Sequence, residues 1–397
     1  MPIALTVLDN ADVYASEHVG LRHIVMAAGS ILQITEARPT FDNVDVVRID
    51  VGGRRVIPGL IDCHVHATGG GGESGPASRV PPLMLSALTT AGITSCVGVL
   101  GTDCTTRTMR DLVARIHGLR AEGVSAWCFT GGYALPVGTL TGSVRDDITF
   151  VDAIIGVGEL AISDHRSSQP TFDELVRIAA DCHVSGLMTG KAGVLHLHLG
   201  DGPRGLAMVR RALDETELPA RTFHPTHVNR HKALFEEAIA LARRGCTVDV
   251  TAFDPGDEGI SVEDCVERFL AEGISLQQLT ISSDGAGCLP TFNAQGELVH
   301  MDIGKPQTVT LALAELLRRG HALHTVLPPF TSSVAHLLRL KGKGHVVAGA
   351  DADLVVLTDD HRVDTVVAGG RVMVQGGAVV VAGMFEGSTA RTSGDHA

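Results

Sequence analysis

The run Val56-Ile57-Pro58-Gly59-Leu60-Ile61-Asp62-Cys63-His64-Val65-His66 constrains this chain more than any other stretch, because an apolar, strand-length segment ends in two histidines one residue apart. In a β-strand the side chains at i and i+2 point to the same side, so His64 and His66 reach one point just past the strand end. Two imidazoles so placed have metal-ligand geometry, although a pair of partly buried histidines making ordinary hydrogen bonds would read the same way. The rest of the chain weighs on the choice, since it supplies further ligand-type residues, each at the end of its own apolar run.

At 397 residues the chain is long enough for one large domain and a smaller one, or for two of medium size. Its hydrophobic content of 44% includes no apolar stretch long enough to span a bilayer. The start, Met1-Pro2-Ile3-Ala4-Leu5-Thr6, lacks the basic region and long apolar core of a secretory signal, so a soluble cytoplasmic protein is expected. The eight cysteines are scattered without a Cys-x-x-Cys pair, which fits a reducing compartment better than a disulfide framework. A formal net charge of −13 disfavours attachment to nucleic acid or to an anionic membrane. An acidic substrate would have to be captured by local arginines.

Residues 1–55 carry short β-like runs without helical period, and residues 345–387 read similarly. Together they predict a small β-sandwich built from both chain ends, leaving 388–397 as a flexible polar tail. Between them, residues 56–344 alternate strands with helices. After the opening strand, strands read at 93–100, 125–130, 153–163, 193–199, 221–227, 246–251 and 279–284. Helices read at 82–91, 107–122, 171–183, 203–215, 232–244, 262–272, 309–319 and 332–340. Eight strands with intervening helices predict an α/β fold, a (β/α)8 TIM-like barrel, with an open doubly wound sheet as the alternative. Thr171-Phe172-Asp173-Glu174 has the form of a capping box, and Gly245 and Gly273 follow their helices as C-caps.

Barrel strands converge with their carboxyl ends on one active-site face. Those ends carry His64 and His66 on strand one, Glu159 on strand four, His198 on strand five, His227 on strand six and Asp284 on strand eight. Four histidines and two carboxylates at matching depth predict a site for two divalent ions, with Zn²⁺ the first choice for that donor set. Blander readings exist for several of them. His196 shares a strand face with His198 and can be a satisfied core histidine; His227 can be a plain loop residue, and Asp284 a helix N-cap. Asp254 and Asp257 are rival carboxylates beyond strand seven, read as solvated. The run Gly69-Gly70-Gly71-Gly72 lacks the Lys-Ser/Thr of a phosphate loop and reads as a flexible active-site loop.

These residues resemble the isoaspartyl (β-aspartyl) dipeptidases of the amidohydrolase superfamily, from near the N-terminus to about Glu386. Superfamily features are Pro58-Gly59 leading into the paired histidines, and the late Gly349-Ala350-Asp351-Ala352-Asp353-Leu354 turn. More specific to the dipeptidases are Gly69-Gly70-Gly71-Gly72-Glu73, Leu100-Gly101-Thr102-Asp103, Thr130-Gly131-Gly132-Tyr133, Ile162-Ser163-Asp164-His165-Arg166-Ser167, Pro225-Thr226-His227-Val228-Asn229-Arg230 and Ser282-Ser283-Asp284-Gly285, all in the family's order.

The resemblance implies that His64, His66 and Asp284 hold one ion and His198 and His227 the other. A hydroxide bridging them would attack the peptide carbonyl, while Asp284 takes its proton and passes it to the leaving amine. Tyr133 would polarise the carbonyl oxygen from a mobile loop. Glu73 would bind the substrate's α-ammonium, Arg166 and Arg230 its carboxylates, and Thr102 would help line the pocket. The implied substrate is a small β-aspartyl dipeptide, and the implied assembly a homo-oligomer, an octamer among the options.

Two departures from the family stand out. A lysine carboxylated on its side chain usually bridges the ions from strand four, but here the stretch is Ile155-Gly156-Val157-Gly158-Glu159-Leu160-Ala161, with one apparent extra residue. Lys191 does not supply it, because its surroundings match another part of the family. Glu159 is expected to bridge directly, its arm shorter by roughly 3–4 Å, with the extra residue beside Gly158 bulging the strand inward; a single-metal site and a Glu159 facing elsewhere are the competing readings. Cys288 stands where a serine commonly contacts a substrate carboxylate, a weaker donor or a merely pocket-lining group. The rival functions are another amidohydrolase acting on a cyclic amide or an N-acyl amino acid, and a non-catalytic barrel with lost ligands.

Overall fold

Strand alternation organises the molecule around one ring of parallel strands. The computed structural model describes residues 5–15, 17–254, 259–292 and 298–386. Asp257 and the tail at 388–397 lie outside them. Six parallel strands pair side by side in chain order: Leu60–Val65, Ile93–Gly98, Ser125–Thr130, Ile154–Ile162, Val194–Leu199 and Phe223–Thr226. Val248–Thr251 and Leu279–Ser282 form a further parallel pair. The ring closes where the Val228 N–H donates to the Asp249 carbonyl at 3.3 Å and the His66 N–H to the Gly285 carbonyl at 2.8 Å. This is the (β/α)8 TIM-like barrel expected from the alternating pattern.

Period two decides which residues fill it. Along strand five, Leu195, Leu197 and Leu199 pack toward the surrounding helices, whereas Val194 turns to the other face and joins Ile61, Cys63, Val97, Phe129 and Ile155. Helix Ser332–Leu338 adds Val334, Ala335, Leu337 and Leu338 to that inner cluster. Each large side chain so buried contributes roughly 2 kcal/mol. His196 and His198 share Val194's face, so the ring's interior passes from apolar to polar toward the strands' carboxyl ends.

Strand four breaks the rule in a way that matters. Val157 and Leu160 both pack toward the helices, although a regular strand would turn them to opposite faces. The pairing explains it: Val157 lies opposite Leu195 and Leu160 opposite Leu197, so strand four carries one residue more than its neighbour. That bulge surrounds Gly158 and turns Glu159 inward. Glycine is required here by space. A Cβ on Gly158 would lie 2.7 Å from the His196 Cβ, and one on Gly156 would lie 2.4 Å from the Val194 carbonyl oxygen.

The two chain ends build the second body. Leu5–Tyr14, His18–Ala27, Ser30–Thr35, Val46–Asp50 and Arg55–Pro58 share one nine-stranded mixed sheet with Leu354–Leu357, Val363–Ala368, Arg371–Gln375 and Ala378–Val379. The ends meet where Leu354–Leu357 runs antiparallel to Arg55–Pro58. Alternation again sorts the faces. Val56, Leu354, Val356 and Val367 join Leu8, Ile24 and Ile31 in a small separate core, while Ile57, Val355, Leu357 and Val366 pack into the barrel's main cluster.

The Thr171 cap is reciprocal as expected: its N–H donates to Glu174 Oε2 at 2.8 Å and its hydroxyl oxygen accepts from the Glu174 N–H. Gly245 and Gly273 have φ of 92° and 65°, the left-handed region that ends a helix. The helix read at 82–91 shortens to Leu85–Thr89, because Pro81 and Pro82 keep the preceding chain extended. Two elements escape the sequence pattern. Helix Val144–Phe150 buries only Asp147 and Ile148, too few for a helical repeat to be read. The hairpin of Cys288–Phe292 with Leu298–Ile303 leaves Val299 60% exposed, so no inside–outside alternation marks it.

Gly156→Ala is expected to lower unfolding free energy by about 2 kcal/mol in a urea titration, because backbone must move to admit the methyl group. Gly138→Ala, which meets nothing within 4 Å, is expected to be near neutral. Equal stabilities for the two variants would refute the packing argument.

Candidate metal centre

Six side chains from five strand ends meet inside the barrel mouth. His64 and His66 hold their rings 5.4 Å apart, as two residues on one strand face should. Asp284 Oδ1 lies 3.0 Å from His66 Nε2 and 3.5 Å from His64 Nε2. Glu159 sits between two sets of imidazoles. Its Oε1 is 3.5 Å from His66 Nε2, while its Oε2 is 3.1 Å from His198 Nδ1 and 3.6 Å from both His64 Nε2 and His227 Nε2. All six are buried. His227 and Asp284 both follow their strands with φ above 50°, a backbone conformation uncommon for residues with a side chain.

The cluster fits divalent ions on its own chemistry. His64 Nε2 and Asp284 Oδ1 are buried, face one another and have no hydrogen-bond partner. Three ligand groups, His64–His66–Glu159, His64–His227–Asp284 and Glu159–His198–His227, each bring one donor atom per residue within 4.8 Å of the others. Imidazole and carboxylate are the donors that suit Zn²⁺ and its first-row neighbours. Electrostatically, the imidazoles balance the two carboxylates. Burial alone would raise Glu159, but His64, His198 and His227 hold its carboxyl well below the usual range. Burial likewise opposes ionisation of Asp284, yet the His66 ring, 3.0 Å from its Oδ1, and the nearby His64 charge bring it down to about 2.

Above the cluster lies a narrow polar cavity whose wall includes Glu73, Thr102, Tyr133, Arg166, Arg230 and Cys288, with His66, His198 and Asp284 at its floor. Every residue given a ligand or substrate role in the sequence thus lies in the cluster or lines this cavity. The Tyr133 hydroxyl is 2.7 Å from His198 Nδ1. Burial first, then the Glu159 charge, push its phenol well above the ordinary tyrosine value, so it remains a donor. Arg166 lies with its guanidinium carbon 5.4 Å from the Tyr133 ring centroid. One carboxylate oxygen of Glu73 and the Nε of Arg230 are buried without a partner.

Other residues fall elsewhere. His196 is a core histidine, bonded to His64 and His224 rather than turned to the cluster. Lys191 donates to the carbonyls of Ile148, Val151 and Ile154, at the opposite end of strand four from Glu159. Asp254 pairs with Lys305.

Asp164 is the residue the sequence reading left without a role. It accepts from Arg166 Nε at 3.0 Å and Nη2 at 2.8 Å, and its Oδ2 is 3.0 Å from His198 Nε2. It therefore fixes a guanidinium of the cavity and a ring of the cluster at once. Against the effect of burial, His198 and Arg166 hold its carboxyl far below the usual range. Its signal was its position just past strand four, two residues before Arg166. Asp249 was missed too; a lone acid inside the apolar strand Val248–Thr251 is itself a signal, since a buried carboxylate requires partners.

No helix among the described residues is long and apolar enough to cross a membrane. The β-aspartyl dipeptidase of Fervidobacterium islandicum AW-1, solved in complex with a β-Asp-Leu dipeptide, is 37% identical over 94% of this chain and 97% of that one, with a TM-score of 0.91. A second structure of that organism's β-aspartyl dipeptidase gives 35% identity, 94% and 98% coverage and a TM-score of 0.87. Dihydropyrimidinase from Brevibacillus agri NCHU1002, at 14% identity and a TM-score of 0.65, shares the fold over 96% of both chains. Curated sequences match over short segments: dihydroorotase of Bacillus caldolyticus is 50% identical over 52 residues, which is 12% of that protein's length. The model of the amidohydrolase family matches residues 55–373. With most of its length so matched, the chain belongs to the amidohydrolase family of hydrolases.

Proposed function

We propose that this protein hydrolyses β-aspartyl (isoaspartyl) dipeptides to aspartate and a second amino acid at a centre of two divalent ions, Zn²⁺ for preference. One observation carries the reading. The cavity over the metal-type cluster presents one carboxylate, Glu73, and two guanidinium groups, Arg166 and Arg230. A β-aspartyl dipeptide carries one ammonium and two carboxylates around its amide, an opposite charge for each of the three. A cyclic amide has no use for that set. The relative solved with β-Asp-Leu supports the same substrate class.

His64, His66 and Asp284 would hold one ion and His198 and His227 the other, with Glu159 shared between them. Ions there would supply Lewis acidity at the amide carbonyl and lower the pKa of a bound water. The chain's own groups do the rest. Glu73 takes the ammonium, and Arg166, held rigid by Asp164, takes a carboxylate with Arg230 beside it. Tyr133, kept protonated by burial, donates to the carbonyl oxygen as negative charge develops there. Asp284 accepts the proton of the attacking water and returns it to the departing amine, so that the C–N bond breaks without an amide anion.

The direct test offers β-Asp-Leu and α-Asp-Leu to protein stripped of metal and then replenished with Zn²⁺. Turnover of the β-linked compound alone, restored by the ion, is the expected result. No turnover of either by protein that holds its metal would move the assignment to a cyclic amide or N-acyl amino acid. Glu159→Gln is expected to bind about one ion or fewer and to lose activity by about a hundredfold or more. Retention of two ions at unaltered affinity would rule out the bridge.

Cys288 gives a pH-dependent check on the cavity. Burial first, then the charges of Glu73 and Asp284, push its thiol up to about 12. A raised pKa leaves little thiolate at neutral pH, and that fraction grows about tenfold for each pH unit below 12. In metal-stripped protein, iodoacetamide should therefore label Cys288 about a thousandfold more slowly than a free small thiol at pH 8, and markedly faster at pH 10. Rapid labelling at pH 8, read site by site by mass spectrometry, would contradict this electrostatic picture.

A further inference from the structure

Below the metal-type cluster a continuous line of hydrogen bonds crosses the barrel interior. Asp249, fully buried, accepts from the hydroxyls of Thr226 at 2.7 Å, Thr280 at 2.6 Å and Ser282 at 2.6 Å and from the Cys63 thiol at 3.1 Å. His224 Nε2 lies 3.0 Å from Thr280 Oγ1, His224 Nδ1 lies 2.9 Å from His196 Nδ1, and His196 Nε2 lies 2.8 Å from His64 Nδ1. All these residues are buried.

The direction of each bond follows from elementary donor and acceptor rules. A carboxylate only accepts, so the Thr280 hydroxyl gives its one proton to Asp249 and must itself accept from His224. His224 therefore carries its proton on Nε2. His196 and His224 are fully buried with no carboxylate bonded to either ring, which keeps both neutral, with one N–H each. The bare Nδ1 of His224 then accepts from His196 Nδ1–H. The bare Nε2 of His196 in turn accepts from His64 Nδ1–H. Where His64 is neutral, as an ion held at Nε2 requires, one tautomer remains for it, with the lone pair on that atom. That is the buried atom left without a partner, 3.5 Å from Asp284 Oδ1.

We infer that Asp249, Thr280, His224 and His196 form a one-way tautomer relay that fixes His64 with its Nε2 lone pair turned to the metal centre. They are positioning residues: none touches substrate, and each acts through the next. The relay rests on the metal reading but not on the identity of the substrate. Cys63, His224 and Asp249 also lie close enough to be taken for a third ion site. Their bonds argue otherwise, because Asp249 already accepts four donors and both nitrogens of His224 are engaged.

Two measurements test the relay. Histidine-selective ¹⁵N labelling of the zinc-loaded full chain, read by two-bond ¹H–¹⁵N spectra, should find the proton on Nδ1 in His64 and His196 and on Nε2 in His224. The proton on Nε2 of His196, or on Nδ1 of His224, overturns the inference without any variant. Second, Thr280→Val removes the relay's hydroxyl at nearly constant shape, and Thr280→Ser keeps it. In competition with a chelator, Thr280→Val should hold one of two Zn²⁺ ions tenfold or more less tightly, and Thr280→Ser should bind as the unaltered protein does. Binding by Thr280→Val within twofold of the unaltered protein overturns the relay alone. A third equivalent of Zn²⁺ lost in Cys63→Ser does so as well. Failure of the unaltered chain to take up Zn²⁺ overturns the metal reading and the relay together.

Discussion

Carboxyl groups buried inside the barrel set the terms for everything around them. Glu159, Asp284, Asp249 and Asp62 all lie in the interior with at most 5% exposure. A buried carboxylate without partners costs several kcal/mol, so each must be matched by donors or cations from neighbouring strands. Asp249 takes three hydroxyls and a thiol, and Asp62 takes the Ser283 hydroxyl and backbone N–H groups of His64 and Ser283. Glu159 and Asp284 instead face imidazoles, and His64 Nε2, His66 Nδ1 and Asp284 Oδ1 there have no hydrogen-bond partner. The interior is thereby divided: the lower acids are closed by the protein, whereas the upper pair is left open to ions.

Much of this arrangement was legible in the chain. Period two puts His64 beside His66, and the barrel brings strand ends to one level, so six candidate ligands could be named from strand boundaries alone. The cavity residues were legible only through a family resemblance, because loops carry no periodicity to place them. Asp164, Asp249, His224 and Thr280 were not assigned. Their roles depend on partners tens of residues away: Asp249 meets Thr280 across 31 positions and Cys63 across 186. Nothing local encodes such a pairing. The helix Val144–Phe150 and the exposed hairpin escaped for the opposite reason, since each buries too little to impress a pattern.

Strand four shows how a departure in sequence is absorbed by the backbone. A glutamate is several ångströms shorter than a carboxylated lysine, so the strand must bring its backbone to the centre if a carboxylate is to lie there. The register shift at Gly158 moves the strand and reverses the facing of the residues beyond it, and Glu159 ends between the two imidazole sets. The move is open only to a strand that can approach its neighbours closely. Gly156 and Gly158 permit that approach against Val194 and His196, and Phe129 packs into the space that their missing side chains leave.

His196 links these two constraints. It stands opposite the bulge, where its Cβ excludes any side chain at Gly158, and it also carries the hydrogen bond that orients His64. A larger residue at 158 would push on His196, and a displaced His196 would lose His64. The short carboxylate arm and the tautomer of the first ligand are therefore coupled through one ring. A lysine arm reaching from an unbulged strand would impose no such contact. Here the centre depends on the backbone of strand four and the ring of His196 keeping one common geometry.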